Sequence, residues 1–306
     1  MVLHPEHFKA NPDLFLVKAI RNYVATSPYN HLPAFNNDPI FDEPLVGFAD
    51  GDDPIFQEYQ KETIIGAFHS NPREILEKHI QQTTGGGQKP ANISMISYIL
   101  PVTHKTRLTL RQETEVVSVR WNHTRWLGQD LINELSLYLV SLLEKLGYQA
   151  IAPELSSFYE RLERPTGILS NWSQRHMAYA AGLGTFSLSD GFISQKGIAI
   201  RCGSVVCDAT ITPTPRLYKD HLSNCLFYRG SSCQRCIERC PAQAINEKGH
   251  DKKKCRDFLM IEQRTLLKQL GRSEQGYMGK YLACGMCQTK VPCEAGIPPD
   301  IVPRKT

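Results

Sequence analysis

The chain of 306 residues contains no run approaching the roughly eighteen apolar residues that a helix needs to cross a bilayer. No membrane partner is expected. Its opening stretch, Met1 to Ala10 with His4, Glu6, His7 and Lys9, offers neither a charged-then-apolar leader nor a twin-arginine signal, so a cytoplasmic protein is expected. Charge of one sign is scarce as well: 35 Lys and Arg stand against 31 Asp and Glu, a net +4, which falls short of the loading of a dedicated nucleic-acid binder. Low-complexity tracts are missing. Thr83-Thr84-Gly85-Gly86-Gly87 is followed by no Gly-Lys-Ser/Thr, so it marks a loop and not a phosphate cradle. Gly182-x-Gly184-x-x-Ser187 follows a predicted helix instead of linking a strand to a helix, which sets aside a dinucleotide fold.

What the chain does have is cysteine, ten in all, with eight between residues 225 and 293. Without an export signal these argue for metal ligation over disulfides, because a reducing compartment keeps thiols free and thiolates are soft ligands for iron and zinc. Cys233-x-x-Cys236-x-x-x-Cys240-Pro241 is the second half of the bacterial ferredoxin run, whose final cysteine serves the other cluster in two-cluster proteins. The spacing therefore predicts two 4Fe-4S clusters with crossed ligand sets: Cys225, Cys233, Cys236 and Cys293 for one, Cys240, Cys255, Cys284 and Cys287 for the other. Cys225 precedes Cys233 by eight positions and Cys287 precedes Cys293 by six, so both sets require inserted loops. The alternative is zinc, since paired Cys-x-x-Cys motifs also build four-thiolate structural sites. Cys202 and Cys207 lie outside both sets and are expected to be small buried apolar side chains.

Hydrophobic patterning divides the chain into a mixed, partly helical region at 1–88, an α+β core at 89–215 and the cysteine region at 216–306. Ile93 to Leu100, stopped by Pro101, reads as a buried strand. Leu131, Leu135, Leu139, Leu142 and Leu146 recur at three- and four-residue steps, which predicts a helix with one apolar stripe, closed at Gly147. A short strand is predicted over Tyr148 to Ala152. Asn171, with Gln174 three positions on, predicts a helix running to Ala181. Two further strands are predicted over Gly197–Arg201 and Ser204–Ile211, and Pro213 and Pro215 mark the boundary that follows.

Four stretches of the middle region carry a resemblance. They are Leu146-Gly147-Tyr148-Gln149-Ala150-Ile151, the run Arg175-His176-Met177-Ala178-Tyr179-Ala180-Ala181-Gly182-Leu183-Gly184-Thr185, then Gly191-Phe192-Ile193, and Arg201-Cys202-Gly203-Ser204-Val205-Val206. Set before a two-cluster cysteine region, they resemble the corrinoid-binding core and domain order of the epoxyqueuosine reductase and reductive dehalogenase superfamily, over residues 90–295. The resemblance implies a nitroreductase-like core holding cobalamin, followed by a ferredoxin-like two-cluster module. Low-potential electrons would pass through both clusters to the corrinoid while a side-chain acid supplies the proton, chemistry that needs a dry pocket, an electron path and a positioned acid. The Asp-x-His-x-x-Gly signature of cobalamin carrier modules does not occur.

This chain departs from the pattern in two ways. Residues 168–172 are Ile-Leu-Ser-Asn-Trp, without the carboxylate that epoxyqueuosine reductases place before Ala-Gly-Leu-Gly, and the C-terminal helical repeats of many such enzymes are missing. A tRNA substrate is therefore not expected. The resulting expectation is a cytosolic reductase, dependent on cobalamin and iron-sulfur clusters, that cleaves or reduces a carbon-heteroatom bond in a small molecule. The alternative is a ferredoxin-like electron-transfer or reactivating protein serving a partner's corrinoid or flavin.

Candidate residues follow from the same stretches. His176 and Tyr179 are three apart on one predicted helix face, with Arg175 beside them and Trp172 one turn before. Tyr179 or His176 is the candidate proton donor, Arg175 an anion or corrinoid contact and Trp172 a pocket wall, against ordinary packing for the rings and solvent for Arg175 and His176. Tyr159 is a candidate rim residue. Gly184, Thr185, Arg201 and Ser204 are candidate contacts to corrinoid amides, against local capping and strand-surface roles. Lys248, Lys252, Lys253, Lys254 and Arg256 surround Cys255 and form either a solvated loop or a docking patch for an acidic electron donor such as a ferredoxin or flavodoxin.

Overall fold

The computed structural model describes residues 5–86, 89–164 and 167–299. Met1 to His4 and Gly87, on which part of the export and loop readings rests, lie outside the described residues, as does residue 88 of the expected first boundary. The principal strands are β1 (Leu45–Asp50), β2 (Ser94–Pro101), β3 (Ala150–Ile151), β4 (Gly184–Phe186), β5 (Phe192–Ser194) and β6 (Ile200–Cys207). The principal helices are α1 (Pro12–Thr26), α2 (Pro72–Thr84), α3 (His104–Arg111), α4 (Val119–Lys145), α5 (Gln174–Ala180) and α6 (Lys252–Asp257).

Strand β2 is buried at every position, and period-two alternation sends its side chains to two different cores. Ile96, Tyr98 and Leu100 face α1 and α4, whereas Met95 and Ile99 face α2 and α5. The result is a mixed α and β layering, with helices on both sides of a four-stranded antiparallel sheet in the order β1-β2-β6-β3. Leu131, Leu135 and Leu139 of α4 are fully buried against it, each stabilising the fold by about 1.5–3 kcal/mol. Gly203 of β6 is required by Tyr98: a Cβ at this position would lie 2.3 Å from the tyrosine ring. That close approach leaves the Tyr98 hydroxyl free to bond Ser136 Oγ at 2.7 Å and the Ile132 carbonyl at 3.1 Å.

Several predicted boundaries move. Strand β1 and helix α2 come from the segment set apart as 1–88, yet β1 pairs with β2 along its whole length. The predicted strands at Gly197–Arg201 and Ser204–Ile211 are one strand, β6, because Gly203 lets the chain pass beneath Tyr98 without a break. Helix α4 begins twelve positions before the first stripe leucine, where Ser118 Oγ accepts the Trp121 amide at 3.3 Å. Asn171 does not cap α5: its side chain instead donates to the Phe158 carbonyl at 2.7 Å and accepts from the Glu160 amide at 2.9 Å.

Beyond Pro213 the chain leaves the sheet and folds into short elements packed on the core. Asn224 donates to the Ile193 carbonyl at 2.9 Å, and buried Gln263 bridges Val117 N and the Leu282 carbonyl at 2.8 and 2.9 Å. Arg239 reaches the carbonyls of Leu110 and Glu113 at 3.2 and 2.7 Å, satisfying acceptors at the C-terminal end of α3. The cysteine region is thereby held against α3 and α4.

Candidate active site

All ten cysteines are free thiols. Cys225, Cys233, Cys236 and Cys293 line one small cavity. Cys240, Cys255, Cys284 and Cys287 line another, of about 360 Å³. The electrostatics group them the same way. Burial pushes the Cys236 and Cys255 thiols up to about 12, and the neighbours that add to the effect are Cys225 and Cys233 for the first, Cys284 and Cys240 for the second. Burial also raises Cys293, reinforced by Cys225, Cys236 and Cys233. Cys287, raised well above its ordinary value by burial, senses Cys284, Cys255 and Cys240 and then Cys236 of the other set, so the two sets are neighbours. Ionising four thiols in such a space is opposed by desolvation and mutual repulsion unless a cationic group compensates. Among the described residues, no three His, Cys, Asp or Glu side chains stand close enough together to hold a single metal ion.

Local structure explains why these thiols gather. The turn of helix Arg235–Glu238 brings Cys236 round to Cys240, whose Sγ accepts the Ala244 amide at 3.3 Å. Gly285 takes the left-handed conformation at φ 105°, which turns the chain between Cys284 and Cys287, and a Cβ there would lie 2.4 Å from the Trp121 ring. The Cys293 carbonyl accepts from Ile198 N at 2.8 Å, tying the last ligand candidate to the core.

The same larger cavity, or chamber, is also lined by Trp121, Thr124, Arg125, Arg175, Arg201 and Tyr281. Arg201 is largely enclosed and donates through Nη2 to Gln129 Oε1, but its buried Nε has no partner, nor does buried Thr124 Oγ1. Burial lowers the Arg201 guanidinium to about 10, and the Arg125 charge acts in the same direction. Arg125 Nη2 donates to the Tyr281 hydroxyl at 3.3 Å. A second chamber of about 340 Å³ shares Arg175, His250, Cys255 and Leu259 with the first and adds Ser173, His176, Asp190 and Lys252. Asp190 sits on the turn between β4 and β5 at φ 57°, with His250 Nδ1 at 3.4 Å and Lys252 Nζ at 3.7 Å. Burial acts to raise its carboxyl, but the His250 bond and the Lys252 and Arg175 charges prevail and hold it below the usual carboxylate range.

Of the residues chosen from sequence, Arg175, His176 and Arg201 reach these chambers. Arg175 donates to the Asp190 carbonyl. His176 Nδ1 bonds Ser173 Oγ at 2.8 Å, and burial lowers its pKa to about 3, so it is neutral at neutral pH and has no cationic proton to give. Tyr179 lines neither chamber; its half-buried ring lies 6.2 Å from Phe186, and burial raises its phenol. Trp172 Nε1 donates to Ser204 Oγ at 2.9 Å, Ser204 donates to Gln174 Oε1 at 2.7 Å, and Gln174 Nε2 donates to Glu154 Oε2 at 2.9 Å. Thr185 Oγ1 accepts from Asn224 N at 2.9 Å, and Gly184 packs so that a Cβ would lie 2.3 Å from the Ile193 carbonyl. Trp172, Gly184, Thr185 and Ser204 thus line neither chamber. Tyr159 bonds Arg161 at 3.3 Å and faces the α2 side of the sheet. Cys207 is fully buried and Cys202 partly so, as expected of small apolar side chains, and burial raises both thiols to about 12.

Sequence reasoning missed Trp121, Thr124, Arg125, Asp190, His250 and Tyr281. Only Asp190 had a local signal, as a residue one position before glycine in a tight turn. Of the basic cluster, Lys253 pairs with Asp257 at 2.7 Å, Arg256 with Glu163 at 2.8 Å and Lys252 with Asp190, an arrangement that favours the solvated surface over an open docking patch.

No family model matches the chain, and no curated protein matches it. Among solved structures it is similar to epoxyqueuosine reductase from Streptococcus thermophilus, at 17% identity over 95% of this chain and 69% of that one, with a TM-score of 0.46. It is similar also to epoxyqueuosine reductase from Bacillus subtilis, at 15% identity over 94% and 68% of the two chains and a TM-score of 0.41. An epoxyqueuosine reductase crystallised with an epoxyqueuosine-modified tRNA stem loop matches at 16% identity over 94% and 68%, with a TM-score of 0.42. At these identities and TM-scores the likeness brings no chemistry to this chain. No helix among the described residues is long and apolar enough to cross a membrane.

Proposed function

We propose that the chain is an iron-sulfur reductase in which each set of four thiols holds one cluster and the larger cavity also receives the substrate. The observation that carries this reading is the shared wall: Cys240, Cys255, Cys284 and Cys287 open on the same space as Arg125, Arg175 and Arg201. A cubane keeps its four irons apart, so its thiolates ring a space instead of meeting at a point, which suits the two four-thiol cavities better than a single zinc ion does. When bound, such clusters supply one-electron transfer at potentials tuned by exposure and by hydrogen bonds to sulfur, of which the Ala244 amide on Cys240 is one.

The remaining roles belong to the chain's own side chains. Cys287 senses Cys236 of the other set as well as its own neighbours, so clusters held by the two sets would be neighbours and could supply a path for electrons. Trp121, Phe258 and Leu259 restrict water at the chamber, and Arg175 and Arg201 orient what enters it. Asp190 and His250, 3.4 Å apart at the chamber edge, are the polar pair nearest to what enters it, where the sequence had pointed to Tyr179 or His176. The arginine-lined space favours an enzyme over a pure electron carrier, which has no use for it.

Two expectations are not carried forward. Of the five residues proposed to contact cobalamin, Arg201 alone lies on the chamber wall; the other four are engaged inside the fold, so no step is assigned to a corrinoid. The exclusion of tRNA is also dropped, and the substrate class stays open between a small molecule and a modified nucleoside. The test is to purify the protein without oxygen, incubate it with hydroxocobalamin, desalt it and analyse iron, sulfide and cobalt. Bound iron and sulfide are expected; a colourless protein holding zinc would contradict the reading, and equimolar retained cobalt would restore the corrinoid.

A further inference from the structure

Arg125 and Arg201 are two cations that face one chamber and repel each other across it. Neither is in an ion pair among the described residues. Arg125 donates to the Tyr281 hydroxyl and stands over the Trp126 ring at 5.8 Å, Arg201 donates to the Gln129 amide oxygen, and the strongest opposing charge felt at Arg201, that of Glu154, forms no bond to it. A guanidinium has five N–H donors, and leaving one enclosed and unpaired costs free energy that a native fold rarely sustains without a reason. Here Arg201 Nε is enclosed and unpaired, and on the same wall so is Thr124 Oγ1, a second group able to donate. Arg175 completes the wall, held at one end by the Asp190 carbonyl.

Compensation of cluster charge is the obvious competing purpose for arginines beside thiolates. It fits Arg239 better than Arg201: Arg239 senses Cys284 and Cys287, whereas the main charges acting on Arg201 are Arg125, Glu154, Cys202 and Tyr281.

We infer that the chamber is an anion site, in which Arg201 Nε, Thr124 Oγ1 and the Arg125 guanidinium bind a carboxylate or phosphate group of the ligand, with Arg175 at its edge. A planar guanidinium fork matches both groups, and the cavity of about 360 Å³, part of which a cluster on Cys240, Cys255, Cys284 and Cys287 would fill, suits a small anionic group. The inference deepens the proposed function by giving the substrate its charge, and it rests on that reading only in calling the ligand a substrate. The site itself requires no cluster chemistry.

The experiment uses the full chain, purified without oxygen, with iron and sulfide counted on every sample. Binding of inorganic phosphate and of benzoate is measured by equilibrium dialysis, and the spectrum of the dithionite-reduced protein is recorded with and without each anion. One site per chain is expected, with at least tenfold weaker binding in Arg201→Gln and in Arg125→Gln at unchanged iron content, and partial recovery in Arg201→Lys. Preference for one probe tells a phosphate ligand from a carboxylate ligand. Arg125 stands on helix α4 and not on strand β6, so its variant keeps the test open if Arg201→Gln fails to fold. Equal binding in wild type and Arg125→Gln, or none in the wild type, would overturn the anion site. Loss of iron and sulfide with anion binding intact would instead overturn the cluster reading alone.

Discussion

Arg107 Nη1 lies 3.3 Å from Glu294 Oε1, joining helix α3 to the residue that follows Cys293 across most of the chain's length. Both side chains are nearly enclosed, at 13% and 7% exposure. Arg111 Nε adds a second contact at 3.3 Å, and Lys290 N donates to the other carboxylate oxygen at 2.6 Å. The last cysteine of one set is thus positioned by a carboxylate that is itself anchored in the core. Replacing Glu294 by Gln leaves Arg107 enclosed without its counter-charge, a loss expected to cost about 3–5 kcal/mol. Thermal unfolding of the anaerobic protein and its iron content check this. Glu294→Gln is expected to lower both, and an unchanged midpoint would show the pair to be dispensable.

The crossed grouping of the thiols gives a prediction that a sequential grouping does not. Cys293→Ser is expected to remove the same cluster as Cys225→Ser, and Cys240→Ser the same cluster as Cys287→Ser, each variant keeping about four irons. Low-temperature EPR of the reduced variants separates the two cases, since matching partners leave matching residual signals. Identical signals from Cys236→Ser and Cys240→Ser would contradict the grouping.

Gly285→Ala tests the turn between Cys284 and Cys287. The residue holds φ 105°, and its added methyl would meet the Trp121 ring at 2.4 Å. Backbone strain and overpacking together are expected to cost roughly 2–4 kcal/mol. Iron bound at the larger cavity is expected to fall. A second substitution, Trp121→Leu, is expected to restore part of the stability, because it removes the clash and leaves the strain.

Stability is expected to fall below about pH 6.5, and His69 supplies part of the reason. It is 1% exposed, its Nε2 accepts the Ser173 amide at 3.1 Å, its Nδ1 has no partner, and burial lowers its pKa to about 4. Between pH 6.5 and 4 the unfolded chain therefore binds a proton that the folded chain refuses, so the folded state loses about 1.4 kcal/mol for each pH unit as pH falls. Half-buried His176, whose pKa desolvation lowers to about 3, acts with the same sign. Urea unfolding from pH 7 to 5 measures the slope. In His69→Gln it is expected to be shallower, and an identical slope would assign the effect elsewhere.

The parts of this structure that were legible in the sequence are those written in local spacing. Strand β2 announced itself as a continuous Ile-rich run because it is covered on both faces, and the cysteine sets because thiols on short loops recur at small intervals. The first turns of α4 were not legible, since polar Asn122 and Trp121 are buried there by the distant cysteine region: Asn122 Oδ1 accepts Met278 N at 3.0 Å. Nor was the chamber, where Arg125 meets Tyr281 from 156 positions away. Trp172 and Ser204 looked like pocket residues because each stands beside a family-like motif, and what consumed them was a bond to one another across 32 positions. No local pattern reports a contact of that kind.

The most direct test of the central claim is the EPR spectrum of the dithionite-reduced, anaerobically purified chain, taken with its iron and sulfide content. About eight irons and eight sulfides per chain, with two signals that broaden one another through neighbouring clusters, are what two adjoining four-thiol cavities require. Zinc in place of iron, or a silent reduced spectrum with iron present at about one per chain, would contradict it.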